Sequence, residues 1–165
     1  INLDGHSLKG NWTLPVGKLS TPANVRTYAI LRKIVFHFMK RGIHCYPEAA
    51  TNPALATGDK YDVSYLAHPH AHDFWFVVEV DVDHDDRDIE FIQLREKVLD
   101  WYDTGDLQCG RKSCEMLAEE LITKLRSHLG EGDDKPRTIT VGVFEDSLHA
   151  NGAKVTSIPY GLRSI

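Results

Sequence analysis

Positive charge is in short supply: 19 lysines and arginines face 24 aspartates and glutamates, for a formal charge of −5, and no basic run interrupts the balance. A protein that grips a phosphate backbone needs a basic face to displace counterions, so nucleic acid is not the expected partner. Long apolar runs are also missing. Stretches such as 74–78 fall far short of the ~20 residues that span a bilayer, so no membrane association is expected, and nothing at the start reads as a signal peptide. Cysteine is scarce: Cys45, Cys109 and Cys114 are odd in number and match neither a disulfide framework nor a zinc-knuckle spacing. Reduced thiols in a cytoplasmic protein are the expectation. Repeats and low-complexity segments are absent, and 165 residues suffice for one domain with its own core but would cramp a second.

What is present is a change of hydrophobic period along the chain. Residues 1–24, punctuated by Gly5, Gly10, Pro15, Gly17 and Pro22, read as an irregular N-terminal extension, and residues 25–165 as the domain. Residues 28–39 are rich in β-branched and aromatic side chains and predict a first strand running on towards His44. A long loop follows over 47–64, with two prolines and a glycine. Over 73–82, Phe76, Val78, Val80 and Val82 alternate with Val77, Glu79 and Asp81, the period of a strand with one drier face. An acidic turn at 83–88 closes it. Phe91, Leu94 and Val98 predict a helix over 90–102. Ser113 is the expected N-cap of a second helix whose apolar stripe, Cys114, Leu117, Ala118, Leu121, Ile122, Leu125 and Leu129, stops at Gly130. Residues 138–145 alternate again and 154–158 supply a last strand. The predicted order is strand, strand, helix, helix, strand, strand, an α+β domain whose open sheet leaves edges for neighbouring subunits to cover.

The candidate chemistry lies at the start of the second strand. His68, His70 and His72 occupy alternate positions, so an extended backbone puts them on one face. Neutral imidazoles at that spacing can chelate zinc or another borderline metal, and a third ligand from elsewhere leaves an open position for catalysis. His44 is the expected third ligand, because it ends the first strand and an antiparallel pairing sets it beside the start of the second. Spacing alone equally suits solvated strand-edge histidines. His37, His84, His128 and His149 read as surface or packing residues. The aspartates around His84 lack the glycine and terminal glutamate of a calcium loop, so a solvated turn is expected there. Glu145 closes an otherwise apolar strand; its carboxylate can accept two parallel N–H bonds from a guanine-like or pterin ring, or it is an ordinary strand-end acid. Glu115, in the first helical turn, favours the helix dipole in either case.

Several phrases together carry a resemblance over roughly the last three quarters of the chain. They are His70-Ala71-His72-Asp73-Phe74 opening a strand, Ser113-Cys114-Glu115 starting a helix, Val143-Phe144-Glu145 ending a strand, and residues 88–94 leading into the first helix. In these the chain resembles the 6-pyruvoyltetrahydropterin synthase and 6-carboxytetrahydropterin synthase family. The resemblance implies the tunnelling fold, in which antiparallel ββααββ subunits form trimers that stack into hexamers. It also implies zinc on His44, His70 and His72, and a pterin or purine ring anchored by Glu145 with Ser113, Cys114 and Glu115 nearby. Two departures accompany it. The family's cysteine shortly before His-x-His is missing, leaving Cys45 as the candidate catalytic thiol. The family's Asp-His relay between the helices is missing too, with Asp100-Trp101 near its expected place. The expected function is therefore a zinc-dependent lyase on a dihydroneopterin-type substrate; the alternative is a non-catalytic relative that binds a purine, pterin or nucleotide. A cupin-like metalloenzyme would also use His-x-His, but its barrel needs more strands than this chain supplies.

Overall fold

The computed structural model of the protein describes residues 30–130 and 135–159. Two strands of equal length, β1 (Arg32–His44) and β2 (His70–Val82), form its centre, paired antiparallel end to end from Arg32 opposite Val82 to His44 opposite His70. Alternation dictates their faces. Phe36, Phe38, Phe74, Phe76, Val78 and Val80 are buried on one side, while Lys33, Val35, His37 and Met39 of β1 are exposed on the other. β4 (Ile139–Glu145) continues the sheet on β2 and β5 (Asn151–Ser157) continues it on β4, both antiparallel.

Two helices cover the apolar face. α1 (Phe91–Trp101) packs on β1, and α2 (Cys114–Gly130) on β4 and β5. The capping follows the side-chain chemistry. Glu90 accepts the backbone N–H of Ile92 at the start of α1, and the Ser113 hydroxyl accepts that of Met116 at the start of α2. The rings of Phe38 and Phe76 stack with centres 4.7 Å apart, and Tyr102, at the end of α1, tilts against both at 5.2 and 5.3 Å.

The mixed α+β reading and the two helices hold, with one strand more than the sequence suggests. β3 (Leu107–Gly110) lies between the helices in sequence and pairs parallel with the last residues of β1, giving the order β3-β1-β2-β4-β5. Four residues ending in a left-handed glycine (Gly110, φ +62°) carry no alternation to read. The chain order is therefore ββαβαββ. Smaller shifts have local causes. β1 begins at Arg32, β2 begins three residues early at His70 because its pairing with β1 extends that far, and β5 starts at Asn151 opposite Glu145. Gly130 is the last residue of α2 rather than the first beyond it. The long loop contains 3-10 turns at Pro47–Ala50 and Ser64–Ala67, and its two ends are tied by the Tyr46 N–H on the Leu66 carbonyl at 2.7 Å. The expected extension over 1–24 and the first residues of the expected first strand lie outside the described residues. The described residues from Leu31 onward belong to one compact unit.

The far end of the sheet carries a buried ion pair. Arg137 and Asp88 side chains are only 5% and 6% exposed, joined through two N–H bonds of 2.8 and 3.2 Å. Asp88 also accepts the Asp83 backbone N–H at 2.9 Å and faces Lys135 at 3.2 Å, so the acidic turn after β2 closes on this carboxylate. The Arg137 guanidinium holds the Asp88 carboxyl well below the usual carboxylate range.

Candidate metal centre

His44 is the last residue of β1, and His70 and His72 are the first and third of β2. The register sets His44 directly across from His70, and the two-residue period turns all three side chains to the helix-facing side of the sheet. Ring centres are 4.5 Å apart for His44 and His70, 5.1 Å for His44 and His72, and 5.0 Å for His70 and His72. Phe74, fully buried, forms the floor: its ring meets those of His44 and His72 edge-on at 5.3 and 5.9 Å. Beneath it, Gly42 leaves the necessary room, since a β-carbon there would lie 2.9 Å from the Phe74 ring.

Each imidazole is held from outside by its Nδ1. In His44 that nitrogen donates to the Lys112 carbonyl at 3.3 Å, in His70 to the His68 carbonyl at 2.7 Å, and in His72 to the Asp146 carboxylate at 2.9 Å. All three partners only accept, so Nδ1 carries a proton and Nε2 is the nitrogen left to face a metal. Ligand atoms of the three residues come within 4.8 Å of one another. The Nε2 atoms of His44 and His70 are buried and have no hydrogen-bond partner. A buried polar atom left unpaired calls for an explanation, and a cation shared by converging lone pairs supplies one. Burial also pushes the His44 imidazole below its usual pKa, against the opposing pull of the Lys112 carbonyl and Glu145, and so favours the neutral form that can ligate a metal.

Glu145 ends β4 opposite Phe74, which brings its carboxylate to 3.6 Å from His44 Nε2 and 3.9 Å from His72 Nε2. The Cys114 thiol, at the first turn of α2, donates to the same carboxylate at 3.7 Å. Burial, reinforced by Glu145, pushes that thiol up to about 12, so Cys114 is a proton-bearing donor and not a thiolate. Ser113 and Glu115 are committed to the helix end. The Ser113 hydroxyl bonds the Glu115 carboxylate, which lies below its usual pKa for that reason, and caps the Met116 N–H at 3.4 Å. Cys45 follows His44 directly, and its N–H bonds the Gly110 carbonyl at 2.8 Å; its thiol is not among the ligand atoms that converge.

Other histidines sit apart from the cluster. His68 precedes β2 and contributes its carbonyl; His37 leans on Trp75, His128 on Trp101 and His149 on Phe144, and His84 Nδ1 accepts the Asp86 N–H inside the acidic turn. Asp100 is exposed, and Trp101 packs on the core. Sequence reasoning passed over Asp146. Nothing distinguishes it from any acid after a strand, because its role depends on a left-handed backbone (φ +63°) that no spacing shows. Among the described helices none is long and apolar enough to cross a membrane. No protein-family model matches the chain, and no curated protein matches it.

Proposed function

We propose that this protein is a cytoplasmic zinc-dependent enzyme of the 6-pyruvoyl/6-carboxytetrahydropterin synthase type, a tunnelling-fold lyase acting on a dihydroneopterin-type substrate. The observation that carries the reading is the convergence at one end of the sheet of three imidazoles with a carboxylate beside them. An all-nitrogen trio suits zinc better than magnesium or calcium, which prefer oxygen. Zinc bound there would polarise a hydroxyl or carbonyl oxygen on the substrate side chain.

The residues divide the work. Glu145 offers two oxygens to a pair of ring N–H donors, and Cys114, retaining its proton, steadies one of them from the helix side. Ser113 and Glu115 fix the start of α2 against which the ring would lie. Cys45 is the remaining candidate for a reacting thiol, given that burial raises the Cys109 and Cys114 thiols alike. Among the described residues the outer edge of β1 pairs with β3 only over Gly42–His44, and pairing of its first ten residues with another subunit would suit a trimer or hexamer. One observation favours a second reading, a non-catalytic pterin or purine binder: among the described residues no cysteine joins the three histidines, and no further histidine does.

Turnover separates the two readings. With dihydroneopterin triphosphate and zinc, the enzyme reading expects release of inorganic triphosphate or loss of the side chain, abolished in His70→Ala. Saturable quenching of pterin fluorescence without any product would instead establish the binder.

A further inference from the structure

In a strand, consecutive side chains point to opposite faces. Glu145 and Asp146 break that rule, and the reason is visible in the backbone. The ladder between β2 and β4 runs one bond past the end of β4, from the Asp146 N–H to the Asp73 carbonyl at 2.9 Å, and at that residue φ is +63°. This conformation swings the Asp146 side chain round to the face that Glu145 already occupies. The result is that one imidazole lies between successive carboxylates: His72 Nδ1 bonds Asp146, 2.9 Å from both its oxygens, and His72 Nε2 faces Glu145 at 3.9 Å.

The other two histidines have no carboxylate at Nδ1. Their Nδ1 atoms donate to neutral carbonyls of Lys112 and His68. Asp146 is thus the one anionic acceptor in the outer ring of the site. An anionic acceptor fixes the tautomer of a metal-binding imidazole, holds the plane of the ring and makes the opposite nitrogen a better electron donor.

Resting on the reading that His44, His70 and His72 hold a metal, we infer that Asp146 is a positioning residue for that metal: its left-handed backbone exists to set a carboxylate on His72 Nδ1 and aim Nε2 into the centre. The side-chain hydrogen bonds of Asp146 both go to His72 Nδ1, so its effect passes through that ring. Aspartate is one of the few residues that adopt this backbone readily, and glycine adopts it with no side chain. Asp146→Gly therefore removes the carboxylate and keeps the turn, and Asp146→Asn keeps an acceptor oxygen without its charge.

The test uses the full chain, with zinc affinity measured by competition against a chromogenic chelator and imidazole nitrogen NMR recorded on the metal-free protein. Asp146→Gly is expected to weaken zinc binding about 10–100-fold with no lowering of the metal-free melting temperature, and Asp146→Asn to fall between it and the wild type. In the metal-free wild type His72 should appear as the Nδ1–H tautomer, and in Asp146→Gly as a mixture. Zinc affinity within twofold of wild type in Asp146→Gly, with an unchanged His72 tautomer, would overturn the inference. A wild type that takes up no zinc but shows the tautomer change would retain the orienting role of Asp146 and remove the metal reading beneath it.

Discussion

Replacing Arg137 by methionine is expected to lower folding stability by about 3 kcal/mol, the low end for breaking a buried ion pair by removal of one partner. The end of the range follows from what remains. Asp88 would keep the Asp83 N–H and the Lys135 ammonium, so its charge would not be wholly stranded. The Asp81 carbonyl would lose the Arg137 N–H that it now accepts at 3.0 Å. A double replacement, Asp88→Leu with Arg137→Met, should be less destabilised than Arg137→Met alone, because no buried charge is then left unpaired. The pH dependence follows from the sign of the Asp88 shift. Its pKa in the folded protein is depressed below the ordinary 3.8, so the pair's contribution is complete above that value and is lost as pH falls through the native one. Urea unfolding of wild type and Arg137→Met at pH 7 and pH 3 should therefore show a gap that narrows on acidification. A gap below about 1 kcal/mol at pH 7 would mean that the pair does not hold the turn after β2.

Phe74→Ala should be comparably severe, at about 3–5 kcal/mol, for it removes a fully buried ring from β2. Its second effect ties the core to the site. Phe74 is the shared floor of His44 and His72, so the cavity would free both rings to turn while leaving every ligand in place. Chemical denaturation measures the first effect, and zinc affinity, read well below the melting temperature, measures the second. Lost stability with unaltered zinc affinity would show that the imidazoles are oriented by their Nδ1 partners alone.

The sequence made legible those parts of this arrangement that depend on period and pairing. Alternation in β2, the stripe of α2 and the Ser113 cap are local patterns. The meeting of His44 with His70 follows from one long antiparallel pair with a histidine at each adjoining end. The parallel strand β3 was not legible, since four residues without alternation are defined only by what they pair with. The outer ring of the site was hidden for a similar reason. Two of its acceptors are backbone carbonyls, which every residue has, and the third, Asp146, reaches His72 only through a left-handed turn. The commitment of Ser113 and Glu115 to each other is likewise a matter of rotamers. The pairing of Asp88 with Arg137 links residues 49 positions apart and could not be read from the acidic turn itself.

The central claim is that three histidines hold one metal ion, and the most direct measurement is elemental analysis of the purified protein beside a His70→Ala, His72→Ala double variant. The account predicts close to one zinc per chain in the wild type and none in the folded variant. A folded wild type without zinc, even after incubation with the metal, would contradict it.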